Sequence, residues 1–246
     1  MKELEPFLAR LIDFLAEKYK SQLVLKGGML LRLLESPRST RDIDYAWIRT
    51  KKRNLFAQDL KSSLEMMEGV EVVNATSNSR GVFLDVLDRP TGLRAKLEIS
   101  VVKAFHRPPR PMTTAALAHP HALKPQVVTT MDLSEALSHK IAAALERNLA
   151  RDLYDLMILG RLTSFDEKTL RERFSGLEIR RAKPQAITAL EAAARLQKRI
   201  DSLSQEALAT ELSSLLPGEP MEGMAVVIKS AVSQIIRKIE ALDSKK

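Results

Sequence analysis

The sequence predicts an α+β fold: a mixed sheet with flanking helices over residues 1–130, then a C-terminal helical bundle over residues 131–246. Three observations predict it. Short apolar stretches with strand-like alternation fall at 43–48, 70–74, 82–87 and 93–102, as half-buried strands require. Residues 105–130 then break the pattern with five prolines and three histidines. Beyond Asp132 the apolar residues recur every three to four positions, the period of amphipathic helices.

The elements follow in order. Phe7, Leu8, Leu11, Ile12 and Leu15 share one face of a helix over 4–19. Residues 21–25 read as a short bridge into Gly27-Gly28, and 28–34 as a second helix that stops before Pro37. A helix over 54–67 is anchored by Leu55, Leu60, Leu64 and Met67, and Glu71, Asn74, Arg80 and Gly81 mark polar turns between strands. Residues 105–130 read as a long, partly ordered connection. Helices are then expected at 132–146, 151–160, 166–174, 184–202, 204–215 and 222–242, with Pro184 in the first turn of its helix and Pro217-Gly218 in the last connection.

Composition narrows the class of protein. The absence of cysteine excludes disulfides and thiolate metal sites. Glu3, Glu5, Asp13 and Glu17 interrupt any secretory core in the first helix, and no apolar run is long enough to span a bilayer, so a cytoplasmic protein is expected. Lys and Arg number 39 against 31 Asp and Glu, a net charge of +8. That balance favours polyanionic partners such as RNA, DNA or nucleotides, although a merely basic soluble protein has it too. With 4% aromatic residues a base-stacking platform is not expected. Trp47 reads as sheet packing, and His106, His119, His121 and His139 lack metal-pair spacing.

The chemistry concentrates in Lys26-Gly27-Gly28 and, thirteen residues on, Asp42-Ile43-Asp44. Two glycines opening a helix let phosphate approach the backbone N–H groups closely. Two carboxylates one residue apart share a strand face and repel unless a cation lies between them. Magnesium takes one or two carboxylates together with substrate phosphates. A surface turn is the alternative for an isolated DxD. Glu98 lies on an apolar strand whose alternate face carries Lys96, Glu98 and Ser100, so it is a candidate third metal ligand or general base, with Asp85 as its rival. An ordinary solvated strand face is the alternative there. Ser39 and Thr40 are candidate phosphate ligands or simple turn caps.

In the helical half Lys140 falls inside the apolar stripe of Leu133, Ala136, Leu137, Ala144 and Leu145, so it must snorkel out or meet an anion. Lys140, Arg147, Arg151 and Asp155 fall within about 80° of arc while Asp152 points away. On one straight helix Lys140 and Asp155 would be about 22 Å apart, so either they contact opposite ends of an extended ligand or, as favoured here, a break near Asn148 folds the second helix back. A basic solvated face is the alternative to both.

These residues, in this order, resemble the AbiEii-type nucleotidyltransferase toxins of type IV toxin–antitoxin systems, which include the mycobacterial MenT proteins. The matching pieces are Lys26 to Arg32, Ser39-Thr40-Arg41-Asp42-Ile43-Asp44, Lys96 to Ile99, Ser134 to Lys140, and Arg147 with Arg151 to Leu156. The resemblance covers residues 20–160 and implies a DNA polymerase β-like nucleotidyltransferase core, Mg²⁺ or Mn²⁺ as cofactor, and an NTP substrate, CTP or UTP. It also implies a cognate antitoxin and addition of a pyrimidine nucleotide to the 3′ end of tRNA, blocking translation. Thr40, Asp42, Lys140 and Asp155 match the family's active site. Where the wider superfamily has Gly-Ser this chain has Gly27-Gly28, leaving phosphate to the backbone.

The expected assignment is therefore catalysis by Asp42, Asp44, Glu98, Lys140 and Asp155, with Asp42, Asp44 and Glu98 on the metal and the general base open between Glu98, Asp85 and Asp155. Lys26, Gly27, Gly28, Arg32, Ser39, Thr40 and Lys140 hold the nucleotide. Arg147, Arg151, Arg180, Arg181, Lys183, Arg195, Lys198 and Arg199 contact RNA. The helical half would complete the site and bind the acceptor, and a monomer is favoured. The rivals are nucleotidylation of a protein or small molecule by the same core, and a non-catalytic RNA- or antitoxin-binding module.

Overall fold

The computed structural model describes residues 4–178 and 183–243. The chain divides into two compact units, Met1–Met131 and Asp132–Lys246. The first is a seven-stranded mixed sheet with helices, the second is helical.

In the first unit α1 (Glu5–Tyr19) leads through a 3₁₀ turn into β1 (Leu23–Lys26), α2 (Gly27–Leu33) and β2 (Asp42–Ile48). Then come α3 (Arg53–Leu64), β3 (Val70–Ser77), β4 (Gly81–Asp88), β5 (Leu93–Val102), β6 (Arg110–Thr113), α4 (Ala115–Ala118) and β7 (Val127–Thr130). The sheet order is β3-β4-β5-β2-β1-β7-β6. β2 with β5 and β1 with β7 run parallel, and the remaining pairs are antiparallel.

One face of this sheet is the core. Ile43, Tyr45 and Trp47 of β2 alternate inward with Leu97 and Ile99 of β5 and Val82, Leu84 and Val86 of β4. They pack with the buried stripe of α1 and with Phe56 and Leu60 of α3 in a single cluster. Trp47 stacks on Phe56 with ring centroids 4.0 Å apart, so it is a packing residue. Because successive side chains alternate, burying one face turns Asp42 and Asp44 to the other.

Several sequence expectations are corrected here. The bridge at 21–25 contributes β1, and residues 105–130 are not a loose connection, since they form β6, α4 and β7. Pro111 is tolerated because β6 is the sheet edge, where a missing donor costs least. Glu71 and Asn74 lie inside β3, which runs past them with a register shift between Val72 and Asn74. Leu55 is exposed, and its neighbour Phe56 is the buried anchor of α3.

The second unit contains α5 (Leu133–Glu146), α6 (Ala150–Leu162), α7 (Glu167–Phe174), α8 (Ala189–Asp201), α9 (Gln205–Leu212) and α10 (Met224–Glu240). Asp132, Asp166, Thr188 and Ser204 each accept a hydrogen bond from a first-turn N–H of α5, α7, α8 and α9. The α8 boundary is a correction: Thr188 and Glu191 form a reciprocal capping box, so the helix starts at Ala189 and Pro184 lies outside it. α10 packs against α8 and α6, and α5 against α6 and α7. No helix among the described residues is long and apolar enough to cross a membrane.

Candidate active site

The sheet face opposite the core carries the predicted acids. Across β1, β2 and β5 the register places Lys26 beside Asp44 and Asp44 beside Glu98. One pleat away, Asp42 lies beside Lys96, and Lys96 beside Asp85 of β4. Neighbouring strands are about 4.8 Å apart, so Asp44 and Glu98 are adjacent carboxylates. Asp85 is separated from Asp42 by the strand bearing Lys96, which ranks Glu98 above its rival. Burial raises the Glu98 carboxyl above the ordinary carboxylate range, and Asp44 and Asp42 raise it further, against the opposing pull of Lys26 and Lys96.

Gly27 follows from this arrangement. Its φ is +69°, and a Cβ there would sit 2.0 Å from Asp44 Oδ2, so the carboxylate occupies the space a side chain would need. A Cβ on Gly28 would be 3.0 Å from the Arg38 guanidinium and from the Thr40 side chain. The glycine pair therefore brings β2 and the segment before it against the backbone at the start of α2, whose first N–H groups receive no side-chain cap. Thr40 Oγ1 also bonds the backbone N–H and carbonyl of Asp42, each at 3.3 Å, so it does cap the turn. Ser39 is half-buried beside it.

Arg38 was not among the expected site residues. It is buried, yet its guanidinium reaches Gly28 beside Thr40. The available signal was its place two residues before Thr40 in a turn already assigned to phosphate. Arg32 needs the opposite correction. It is held by Glu5 at 2.5 Å and donates to the Ser36 carbonyl, so it ties α2 to α1 and is committed to structure.

A divalent ion can be tested against this donor set. Among the described residues no three acidic or histidine side chains are grouped so as to hold a metal by themselves, so the expected cage of Asp42, Asp44 and Glu98 is not preformed. What is present is the Asp42 and Asp44 carboxylate pair on one strand face, with Glu98 beside Asp44. That suits a hard cation taking one or two carboxylates and completing its shell with phosphate oxygens and water.

In the helical unit α5 ends at Glu146 and α6 begins at Ala150, which is the break expected near Asn148. The fold-back brings Lys140 Nζ to 2.5 Å from Asp155 Oδ2. Asp155 is buried, so the anion that meets this stripe lysine is a carboxylate of the same unit. Asp152 does not point away. It is buried as well and pairs with Arg147 at 2.7 Å.

The expected RNA contacts separate. Arg147, Arg195, Lys198 and Arg199 line one cavity of about 290 Å³ with Leu145, Glu146, Asn148 and Ser202. Arg199 donates to the carbonyls of Ala144 and Leu149, so it also closes the α5–α6 break, whereas Arg195 and Lys198 have no carboxylate partner among the described residues. Arg151 is half-buried, and its backbone N–H is held by Glu211 at 3.1 Å. Lys183 is exposed, and Arg180 and Arg181 lie outside the described residues.

A family model described as nucleotidyl transferase AbiEii toxin, Type IV TA system, matches residues 10–238. The chain belongs to this family. AbiEii membership makes it a nucleotidyltransferase toxin; the family generally uses an NTP and a divalent metal, and membership of a type IV toxin–antitoxin family implies an antitoxin partner. Among solved structures it is similar to the MenT4 nucleotidyltransferase toxin from Mycobacterium tuberculosis, with a TM-score of 0.58 and 16% identity over 96% of this chain and 82% of that one. It is similar as well to JHP933 from Helicobacter pylori, with a TM-score of 0.55 and 19% identity over 98% and 94% of the two chains. These likenesses establish the fold. No curated protein matches the sequence.

Proposed function

We propose that this AbiEii chain transfers a pyrimidine nucleoside monophosphate, CMP or UMP, from its triphosphate to the 3′ end of tRNA, blocking translation. The observation that carries the transfer chemistry is the Lys26–Asp44–Glu98 row set against Gly27-Gly28. The tRNA acceptor and pyrimidine donor rest on the family resemblance and on the net charge of +8.

In this reading Asp42 and Asp44 hold Mg²⁺ or Mn²⁺ together with triphosphate oxygens. The ion supplies neutralisation of the charge that develops on the leaving pyrophosphate. Gly27 and Gly28 present backbone N–H groups to the phosphates, Arg38 and Lys26 add positive charge, and Ser39 and Thr40 supply hydroxyls. Glu98 accepts the proton of the terminal ribose hydroxyl as its oxygen bonds to the α-phosphorus and the bond to the β-phosphate oxygen breaks. A carboxyl raised by burial and by two neighbouring acids is suited to that task. Lys140 and Asp155 take their place in the reaction from the family pattern. Arg147, Arg151, Arg180, Arg181, Lys183, Arg195, Lys198 and Arg199 contact acceptor phosphates.

Incubation with each labelled NTP, Mg²⁺ and deacylated tRNA should label the RNA 3′ end and lose that label with a chelator. Label on protein with none on RNA would move the acceptor to the first rival, and no label on either would leave a binding module. Arg195→Gln with Lys198→Gln should weaken tRNA binding roughly tenfold at moderate salt, because each lost phosphate contact removes released counterions, while NTP binding stays unchanged. Equal losses for both ligands would show that these two residues serve the nucleotide pocket or the fold.

A further inference from the structure

At the end of β2 away from the carboxylates, the chain runs through Arg49-Thr50-Lys51-Lys52-Arg53 into α3. Arg49, Lys52 and Arg53 line an open cavity of about 430 Å³ together with Ser77, Asn78 and Ser79 of the β3–β4 hairpin, and no carboxylate lines it. Lys51 is satisfied by Asp59 at 2.9 Å. Arg49 gives only its Nε to the Lys51 carbonyl, and Arg53 donates to the Asn78 carbonyl. The Lys52 carbonyl accepts from the Phe56 N–H, and its ammonium has no partner among the described residues. α3 begins here with no side-chain cap and no acid in its first turn. Three cations held together without a counter-charge repel one another, and an anion relieves that repulsion.

We propose that this patch grips the phosphate backbone of the acceptor RNA several nucleotides from its reacting 3′ end. The inference rests on RNA being the acceptor, as proposed above. The lining is positive and polar, with small hydrogen-bonding groups and no aromatic ring, which suits phosphate and sugar contacts that read no sequence. Asp44 and Ile48, the residue before Arg49, are four positions apart on β2, or about 13 Å. With one phosphate per ~3.4 Å along a stacked strand, at least about four nucleotides are needed to run from the carboxylates to the patch, whose hairpin lies two strands farther across the sheet. The acceptor must therefore be a polynucleotide, and a mononucleotide or dinucleotide cannot reach both places.

The test compares the full chain with its Arg49→Gln/Lys52→Gln variant, both residues being exposed. Binding of deacylated tRNA and of a trinucleotide with the same 3′ sequence is followed by anisotropy across a salt series. The variant should bind tRNA about tenfold more weakly, and the slope of log K against log salt should fall by about 1.5, the loss of two phosphate contacts. Binding of the trinucleotide and of NTP should be unchanged. An unaltered tRNA affinity and slope overturns the patch, and so does a loss confined to a polyglutamate probe, which would assign the surface to an acidic protein. A slope that falls in the variant while the wild-type protein transfers no label supports the patch as an RNA contact and removes the transfer reading. Labelled tRNA with an unchanged slope removes the patch alone.

Discussion

Asp42→Ala and Asp44→Ala should each lower nucleotide transfer by ~10³-fold or more, the scale of losing a principal electrostatic group at a reacting phosphate, without lowering the melting temperature. The second half of this expectation comes from the structure. Asp44 and Asp42 both push the Glu98 carboxyl up, so removing either relieves a repulsion in the protein free of nucleotide. Gly27→Ala should inactivate as well, for a different reason. The new methyl would sit 2.0 Å from Asp44 Oδ2 on a backbone with φ +69°, displacing the carboxylate and adding roughly 1–3 kcal/mol of strain. Gly27→Ala with Asp44→Ala should regain part of the lost stability and none of the activity. Thermal melts and single-turnover transfer assays measure both. An active Gly27→Ala variant would mean that Asp44 is free to move and that the close approach at the glycine turn has no function.

The carboxylate site was legible because it depends on strand alternation, which a sequence displays directly. Asp42 and Asp44 share a face with period 2, and Glu98 occupies the polar phase of its own strand. The register that makes Asp44 and Glu98 neighbours was not legible, because parallel pairing of β2 with β5 joins strands separated by a helix and a hairpin. β1, β6 and β7 were missed because each is four residues long, too short for periodicity to stand above chance. Proline in β6 suggested a loop, although an edge strand accepts it. An arginine in a turn normally faces solvent, so position alone does not mark Arg38 as a site residue. It is buried, with its guanidinium against Gly28 at the start of α2.

Lys140→Ala should destabilise the nucleotide-free protein by up to about 3–5 kcal/mol, the scale of breaking a buried ion pair by removing one partner. From sequence, Lys140 in its apolar stripe reads as a phosphate ligand rather than a structural ion pair. In the structure Lys140 Nζ lies 2.5 Å from Asp155 Oδ2 and the carboxylate is fully buried, so a structural role stands beside the expected phosphate role. The pair also joins α5 to α6 across the break at 147–149, so it holds the fold-back as well as its own charges. Structural and catalytic roles are separated by a second variant. Lys140→Met with Asp155→Leu removes both charges and fills similar volume, and should recover most of the melting temperature. If the family pattern assigns Lys140 and Asp155 correctly to the reaction, the recovered protein stays inactive and binds NTP weakly. Activity returning with stability would make the pair a brace for the helical unit, leaving the phosphates to Lys26, Arg38 and the glycine backbone. An unchanged melting temperature in Lys140→Ala would show instead that the pair adds little to the stability of the helical unit.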